Sequence, residues 1–352
     1  MRRLARKCIR WFDLHARDLP WRRTRDPYAV WISEIMLQQT QVKTVIPYYE
    51  RWMRALPTLG HFARARPERV LKLWEGLGYY RRARLAQAAA RHIMEQHAGR
   101  FPEMFDEVLA LPGVGRYTAG AICSIAFNQP APILDGNVIR VLSRLLGIAG
   151  DPRSKTVNNN LWRAAQELVS AGGEPSRLNQ GMMELGALIC LPRRPQCPAC
   201  PLRRDCFAWR RKRVEDFPTP APRAAVTRRR FMALVVSDGQ RLLVRRRPAG
   251  VVNAGLWEFP NVEVTPSAKN LRAWAAPFKI TSREPFLRFR HSITRYRILL
   301  EAYRAELPAG PASAKAGASA GAVWKTAAEI KKLPFTSAHR KVLANAFDTP
   351  RR

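Results

Sequence analysis

Four cysteines in the middle of the chain have the residue type and spacing to hold a metal centre. Cys190, Cys197, Cys200 and Cys206 follow the pattern C-x6-C-x2-C-x5-C within 17 residues. Four thiolates this close together suit either tetrahedral zinc or a [4Fe–4S] cluster. Zinc ribbons commonly use two separated C-x-x-C pairs, whereas this segment has one. The spacing therefore favours [4Fe–4S]. A zinc site is the alternative, and free or disulfide-bonded cysteines are the least favoured interpretation.

A second candidate for chemistry is Glu34, the one carboxylate between Pro27 and Tyr49. Its neighbours along a predicted helix are apolar and include Trp31 and Ile35. Burial among such side chains disfavours the charged form of a carboxyl group and raises its pKa. A carboxylic acid that stays protonated near neutral pH can act as a general acid. The alternative is a surface glutamate that pairs with an arginine.

The chain is strongly basic, with 61 Lys and Arg against 27 Asp and Glu among 352 residues, a formal charge of +34. This excess predicts a polyanionic partner, above all nucleic acid, although part of it can belong to solvated surfaces. No apolar run is long enough to span a membrane. The basic start lacks the apolar segment of a secretory signal. With Cys8 and Cys123 expected as buried thiols, we expect a cytoplasmic, nucleoid-associated protein.

Helical periodicity extends to about residue 218. In the run 138–145, apolar residues recur at intervals of three and four, which indicates one buried helix face. An Asp-Pro pair at 26–27 predicts a capped helix start ahead of Glu34. Between two helical runs, L-P-G-V-G-R at 111–116 predicts a tight turn whose backbone a phosphate can approach closely. An ordinary turn that uses glycine for its geometry is the alternative.

The periodicity changes after a segment of alternating prolines at 217–222, which predicts an extended linker. Strand-like runs at 231–236 and 242–244 flank an Asp-Gly pair, and such a pair between strands predicts a β-hairpin. We therefore expect a multidomain chain with a helical region over residues 1–218, a linker over 219–228 and an α+β domain over 229–347.

Three motifs in order resemble the helix-hairpin-helix/iron–sulfur DNA glycosylases, a superfamily that includes endonuclease III. They are L-P-G-V-G-R-x-T-A at 111–119, L-D-G-N-V at 134–138 and the four cysteines. The resemblance covers about residues 5–215. Three further motifs are similar to those of the MutY family of adenine DNA glycosylases: L-P-W-R at 19–22, W-I-S-E-I-M-L-Q-Q-T-Q-V at 31–42 and W-E-G-L-G-Y-Y at 74–80.

This resemblance implies an all-α helix-hairpin-helix glycosylase core with an iron–sulfur cluster loop, followed by a C-terminal α+β Nudix-like domain. Residues of about 25–130 would form the six-helix part, and those of about 1–24 and 131–218 the cluster part. The implied activity is removal of adenine mispaired with 8-oxoguanine or guanine in double-stranded DNA. The implied cofactor is a [4Fe–4S] cluster.

The resemblance also assigns roles in catalysis. Glu34 would protonate the adenine ring, and Asp135 would face the positive charge that develops on the sugar. Asn137 would help to orient the acid and the sugar site. Lyase-type relatives have a lysine after the hairpin arginine, but here the residue is Tyr117, whose phenol cannot form an imine. We therefore expect base excision by water without efficient strand cleavage. Capping of the helix near residue 138 is a second role open to Asp135 or Asn137.

Other residues match family positions that contact DNA or the extruded base, since the target adenine must leave the duplex to react. The positions that fill or wedge the duplex are Gln39, Leu77 and Tyr79, those that line the adenine pocket are Arg22 and Leu37, and those in the backbone-gripping hairpin are Gly113 and Gly115. Such hairpins contact the sugar-phosphate backbone without reading sequence. For the stretch 76–80, a plain turn with aromatic residues packed in the core is the alternative.

The C-terminal region resembles the start of a Nudix fold in R-R-R-P at 245–248 and G-L-W-E-F-P at 255–260. The clustered acids that hold Mg²⁺ in active Nudix hydrolases are missing from 265–272, so pyrophosphohydrolase activity is not expected. In MutY, a Phe-Ser-His loop of this domain recognises 8-oxoguanine. The corresponding residues here are Ile293, Thr294 and Arg295. We expect Thr294 to replace the serine hydroxyl and Arg295 to contact phosphate or the oxidised base.

Two alternatives to adenine excision remain open. A pyrimidine-lesion glycosylase/lyase of the endonuclease III kind is disfavoured by Tyr117 and by the C-terminal domain. A catalytically silent DNA-binding scaffold is disfavoured by the presence of both Glu34 and Asp135. The default expectation is a monomer that binds double-stranded DNA and does not associate with membranes.

Overall fold

The computed structural model describes residues 1–219, 225–265, 271, 274–293, 295–307 and 321–346. The chain divides into two compact units, of which the first comprises Met1–Ala65 and Arg84–Pro222 and the second Arg66–Ala83 and Arg223–Arg352. Residues 66–83 thus group with the second unit, although they lie inside the region of helical periodicity. Within the described ranges, no helix has the length and hydropathy of a bilayer-crossing segment.

Helices form the first unit and strands dominate the second. The helices in chain order are α1 (Arg2–His15), α2 (Pro27–Leu37), α3 (Val42–Ala55), α4 (Leu59–Arg64), α5 (Pro67–Leu73), α6 (Arg81–Gln96), α7 (Phe105–Ala110), α8 (Arg116–Ile125), α9 (Gly136–Leu146), α10 (Lys155–Gly172), α11 (Pro175–Leu188), α12 (Phe207–Arg210), α13 (Ala327–Lys332) and α14 (Ser337–Ala346). The strands are β1 (Thr227–Val236), β2 (Arg241–Arg246), β3 (Trp257–Glu258), β4 (Asn261–Glu263), β5 (Lys279–Ile280), β6 (Leu287–Ile293), β7 (Tyr296–Glu306) and β8 (Ala322–Thr326).

Helix α2 is buried along almost its whole length, from Tyr28 to Met36. Its start has the predicted cap: the Asp26 side chain accepts a hydrogen bond from the Tyr28 amide at 3.1 Å, and Pro27 takes the first helical position. A helix that is apolar on all sides is enclosed by other elements rather than laid on a surface. Glu34 has no solvent-facing side of the helix to occupy, so it lies in the interior.

Helix α9 buries the apolar face that the sequence predicts. Its face of Val138, Val141, Leu142 and Leu145 packs in a core that α1, α10 and α11 complete. At its start, the Asp135 side chain accepts a hydrogen bond from the Val138 amide at 2.7 Å. The predicted capping role is therefore present, and it fixes the carboxylate at the N-terminal end of the helix.

A turn with two glycines joins α7 to α8. Gly113 has a φ of +77°, and a Cβ added there would lie 2.6 Å from Cβ of Leu85. A residue other than glycine at position 113 would therefore have a strained backbone and would clash with Leu85. At Gly115, which caps α8, an added Cβ would meet no atom within 4 Å. The turn therefore leaves the backbone around Gly115 open to a ligand.

The second unit contains two sheets. In the larger one, β1 lies between β4 and β7, parallel to β7 and antiparallel to β4, and β5 and β6 pair antiparallel with β7. In the smaller one, β2 lies between β3 and β8. Buried residues of these strands, among them Phe259 and Leu300, pack with Phe335 and Val342 from the α13–α14 region. The predicted α+β architecture of the C-terminal part is confirmed.

The predicted β-hairpin around Asp238 and Gly239 is wrong. Strands β1 and β2 belong to different sheets, and the described residues join them by a single isolated bridge, Ser237 to Leu242. One edge of β1 pairs with β7 along its whole length, and the other pairs with β4 over 231–233. After the turn, β2 therefore pairs with β3 and β8 instead.

Candidate active site

A cavity of about 500 Å³ lies in the first unit and is lined by residues distant in sequence. Seven residues singled out from the sequence line it: Arg22, Glu34, Leu37, Gln39, Tyr117, Asp135 and Asn137. They come from the turn before α2, from α2 and its C-terminal end, from α8 and from the start of α9. The fold thus brings the predicted acid, the predicted anion and the predicted pocket residues to one chamber.

Glu34 is 5% exposed, and its carboxyl group accepts a hydrogen bond from the Tyr117 hydroxyl at 2.5 Å. Burial raises the pKa of Glu34 to about 7, and the nearby charge of Asp135 acts in the same direction. The Tyr117 hydrogen bond opposes this rise because it favours the ionised form. A glutamate with a pKa near 7 holds its proton in a large fraction of molecules at neutral pH, as a general acid must.

Asp135 and Asn137 form another part of the cavity wall. The Asn137 amide donates to the Asp135 carboxylate at 3.0 Å, in addition to the bond from the Val138 amide. Burial raises the pKa of Asp135, while these hydrogen bonds favour its ionised form and limit the rise. The cavity therefore holds two carboxyl groups in different environments, the arrangement that separates an acid from an anion.

Tyr117, at the start of α8, contacts both the acid and a thioether. Its hydroxyl lies 2.5 Å from Oε2 of Glu34 and 3.4 Å from Sδ of Met183. Burial and the charges of Glu34 and Asp135 raise the pKa of Tyr117 well above its usual value. The phenol is therefore a neutral hydrogen-bond donor to the Glu34 carboxyl.

An ion cluster around the buried Glu184 forms a further part of the cavity wall, and the sequence reasoning missed two of its three members. Arg17 and Arg22 donate to the Glu184 carboxylate at 2.7 and 2.9 Å, and Glu184 is 1% exposed. Burial acts to raise the pKa of Glu184, but the bonds from Arg17 and Arg22 outweigh it and hold the pKa at about 2. One signal for this site was available: Glu184 is the one acid in helix α11, as Glu34 is in α2.

Leu37 and Gln39 lie where α2 ends at the cavity. Gln39 is exposed and has a φ of +57°, which is uncommon for a residue with a side chain. Backbone strain of this kind is concentrated at ligand sites and costs of the order of 1 kcal/mol or more. The position thus agrees with the predicted contact to DNA, which stays a prediction.

The region around the cavity matches a known family of repair proteins. Residues 32–167 match the family described as HhH-GPD superfamily base excision DNA repair protein, and residues 231–345 match the NUDIX domain. Adenine DNA glycosylase of Rattus norvegicus is 40% identical over 336 residues, which cover 78% of this chain and 65% of the rat protein. That of Buchnera aphidicola subsp. Schizaphis graminum is 36% identical, over 72% of this chain and 74% of its own length. The chain belongs to the adenine DNA glycosylase family.

Among solved structures, a non-covalent endonuclease III–DNA complex has a TM-score of 0.51 and 26% identity, over 60% of this chain and 95% of that protein. The helical core predicted from the motifs is thereby confirmed, and the Nudix-like region with it. The chain spans less than two thirds of the length of the mammalian family members, 65% in rat and 61% in human.

The four cysteines expected to bind the family's cluster lie after α11, and all are partly exposed. Burial raises the pKa of Cys200, and the thiols of Cys190, Cys206 and Cys197 add to the rise because they lie near it. In the described part of the chain, no group of three or more His, Cys, Asp or Glu side chains is arranged to hold a single metal ion. The four thiols therefore lie near one another in the same segment.

Two arginines of α9 connect this cysteine segment to the rest of the unit. Arg140 donates to the Asn137 side chain at 2.8 Å and to the backbone carbonyl of Cys190 at 2.6 Å. Arg144, 3% exposed, donates to the Leu191 carbonyl at 2.7 Å and contacts Sγ of Cys190 at 3.4 Å. A chain of hydrogen bonds thus runs from Asp135 through Asn137 and Arg140 to the backbone of the first cysteine.

The remaining family-derived positions fall in the second unit. Leu77 is 6% exposed, so its side chain is buried, whereas Tyr79 is 47% exposed with a φ of +45°. Arg295 is exposed at the turn between β6 and β7, where its guanidinium stacks over the Tyr296 ring at 5.3 Å. Thr294 lies outside the described residues. The roles of Leu77, Tyr79, Thr294 and Arg295 stay predictions.

Proposed function

We propose that this protein is a monofunctional adenine DNA glycosylase that hydrolyses the N-glycosidic bond of adenine opposite 8-oxoguanine or guanine in duplex DNA. The observation that carries the proposal is the Glu34 carboxyl group. It lies buried in the wall of a cavity, its pKa is raised to about 7, and a second carboxylate, Asp135, lines the same chamber. Because the chain belongs to the adenine DNA glycosylase family, we infer that the base removed by this chemistry is adenine.

The acid step follows from these two carboxyl groups. Protonated Glu34 delivers its proton to a ring nitrogen of the extruded adenine, which then leaves as a neutral base instead of an anion. As the bond breaks, the sugar gains positive charge, and ionised Asp135 faces that charge. Asn137 and the Val138 amide keep Asp135 ionised and fixed in place. Glu34, now ionised, accepts a proton from the water that attacks the sugar.

Strand cleavage is not part of the proposed reaction. A lyase needs an amine that attacks the sugar and forms an imine. Tyr117, at the position of the lyase lysine, carries a phenol and no amine. The Tyr117 hydroxyl is instead engaged with Glu34 at 2.5 Å. The expected product is therefore an abasic site in an intact strand.

Duplex DNA as the partner is supported by charge and by the hairpin. The net charge of +34 provides the phosphate attraction, and the open backbone at Gly115 allows a close approach to the start of α8. The endonuclease III relative is described as a DNA complex.

For 8-oxoguanine, the proposal rests on the exposed Arg295 in the loop that replaces Phe-Ser-His. Replacement of Arg295 with alanine should slow excision opposite 8-oxoguanine more than excision opposite guanine.

For the cofactor, we propose a [4Fe–4S] cluster held by Cys190, Cys197, Cys200 and Cys206. The donor set is four thiols, the ligand type that such clusters require. The spacing contains one C-x-x-C pair, whereas zinc ribbons commonly use two separated pairs, and this favours the cluster over zinc. When bound, such a cluster supplies structural crosslinking of this loop. Broad visible absorbance supports it, and a colourless protein with stoichiometric zinc overturns it.

The test of the main proposal is single-turnover excision from a duplex with adenine opposite 8-oxoguanine, analysed with and without alkali. The expected result is strand breakage after alkali treatment alone. Breakage without alkali would indicate a lyase, and an adenine that stays in place under both conditions would indicate a DNA-binding scaffold. The Glu34→Gln protein is the matched control and should release no adenine on the same timescale.

A further inference from the structure

Residues 66–83 are held in the second unit by a row of polar contacts from α5 and the segment after it. The Lys72 ammonium donates to the Leu333 carbonyl at 3.0 Å. Glu68 pairs with Arg246 at 2.9 Å, but both side chains are more than 40% exposed. Exposed pairs of this kind contribute little, about 0–1 kcal/mol. The firm attachment has to come from a buried group.

That group is Glu75, whose side chain is 5% exposed. One carboxylate oxygen accepts a hydrogen bond from the Phe335 amide at 2.9 Å. The other pairs with Arg340 of α14 at 2.8 Å and with Lys72 at 2.8 Å. Phe335 is 1% exposed and forms a parallel bridge with Trp257, so this donor is attached to the core of the second unit. Removal of one partner from such a buried ionic group costs far more than loss of a surface pair.

Directly after Glu75 the chain makes a strained turn. Gly76, Gly78 and Tyr79 all have positive φ, at 109°, 71° and 45°. A bulky residue in this region is a true outlier, and such strain persists only where the surroundings enforce it. The Trp74 indole donates to the Gly78 carbonyl at 3.0 Å, and the Arg82 guanidinium donates to the same carbonyl at 3.2 Å.

The strained turn presents an aromatic ring to solvent. The Tyr79 side chain is 47% exposed, while Arg82 lies over its ring at 5.7 Å and over the Trp74 ring at 5.1 Å. An exposed ring that is held rigidly on a highly basic protein suits stacking on a nucleobase, which is worth about 1–3 kcal/mol per base. Rings and apolar side chains placed between base steps also open the stack of a duplex.

We propose that Glu75 is a positioning residue through which the Phe335 backbone and Arg340 hold the 76–79 turn, so that Tyr79 stacks on a base of the bound duplex. This inference rests on the proposed function, and it extends it: the C-terminal unit takes part in opening the duplex as well as in recognising the opposite base. Glu75 itself touches neither the substrate nor the reacting atoms.

The test uses three variants of the full chain and one control. Glu75→Ala removes the bonds to Phe335, Arg340 and Lys72, Glu75→Gln keeps an oxygen for the Phe335 amide, and Arg340→Ala removes one ion pair from the exposed end of the contact. The control is Glu68→Gln, which breaks the exposed pair in the same segment. Loss of one stacked base corresponds to a fall of about tenfold in single-turnover excision for Glu75→Ala. We expect a smaller fall for Arg340→Ala and for Glu75→Gln, which keeps the Phe335 bond but loses the ion pairs, and no change for the control.

A spectroscopic readout separates positioning from folding. 2-Aminopurine next to the target adenine becomes fluorescent when the stack opens, and a 2′-fluorinated adenosine as target prevents excision during the measurement. Glu75→Ala and Arg340→Ala should reduce this fluorescence rise at temperatures where circular dichroism shows both to be folded. If the 2-aminopurine fluorescence rises as far in both folded variants as in the wild type, the proposal is wrong.

Combination with Tyr79→Ala provides the decisive comparison. If Glu75 acts through the turn, the Glu75→Ala/Tyr79→Ala protein should be no slower than Tyr79→Ala alone. Multiplied losses in the double variant would overturn the positioning role. Failure of the proposed function looks different, because the wild-type protein itself would then release no adenine.

Discussion

Replacement of Glu34 with glutamine should stabilise the folded protein while it strongly slows excision. A free glutamate has a pKa of 4.5, and burial raises that of Glu34 to about 7. Below pH 4.5 the carboxyl group is protonated in the folded and unfolded states alike. As the pH rises from 4.5 to 7, the unfolded state loses its proton while the folded state keeps it, so the free energy of unfolding falls. At 1.36 kcal/mol per pH unit, the full loss above pH 7 is about 3 kcal/mol.

Glutamine has nearly the same shape as glutamate, keeps an oxygen for the Tyr117 hydroxyl and carries no charge to desolvate. The Glu34→Gln protein should therefore match the wild type in stability near pH 4.5 and exceed it by up to about 3 kcal/mol at pH 8. Its excision rate should fall by roughly 10²–10⁴-fold, the usual contribution of a general acid. This is the conflict between stability and activity that buried catalytic charges impose.

The assay is urea unfolding of both proteins at several pH values between 5 and 8, followed by far-ultraviolet circular dichroism. Glu107→Gln is the matched control, because Glu107 is an exposed glutamate of α7 in the same unit. That control should show no stability gain that grows with pH. The reasoning is refuted if Glu34→Gln is no more stable than the wild type at pH 8, or if its gain is the same at pH 5 and pH 8.

Three further outcomes follow from the site. Because the Tyr117 hydrogen bond favours ionised Glu34, Tyr117→Phe should raise the pKa of the acid and move the alkaline limb of the excision pH profile upward by about 1 pH unit; a downward shift contradicts this. Arg140→Gln breaks the bonds from the catalytic helix to the cysteine segment and should lower the single-turnover rate by about tenfold at unchanged DNA affinity, measured by parallel binding titrations. Gly113→Ala should lower the unfolding midpoint, whereas Gly115→Ala should leave it unchanged and weaken DNA binding.

Much of the site could be predicted because its signals are local. The four cysteines lie within one short segment, and their spacing alone limits the possible centres. Glu34 lies in a helix with apolar residues on every side, so its burial follows from its nearest neighbours in sequence. Asp135 lies directly before an amphipathic helix, so its capping position could be predicted as well. In each case, the residues that determine the feature lie within about one or two helical turns of it in the sequence.

The errors and omissions concern pairings between distant segments. The Asp-Gly turn is present, but no local pattern indicates that β1 is already paired on both edges, and so the hairpin was wrongly expected. The Arg17, Arg22 and Glu184 cluster joins residues more than 160 positions apart. Its members are unremarkable until the fold places the two arginines beside a buried acid.

The amino-acid sequence by itself determined the chemical inventory of this protein: the thiols, the acid in an apolar helix, the basic charge and the change from helices to strands. These follow from residue type and from neighbours along the chain. The tertiary structure alone decided how far the pKa of Glu34 rises, because the extent of burial, the Tyr117 hydrogen bond and the charge of Asp135 set it. It also decided that residues 66–83 belong with the C-terminal unit, since Glu75 reaches partners some 260 positions away. Electrostatic and packing energies depend on separation in space, which sequence distance does not measure.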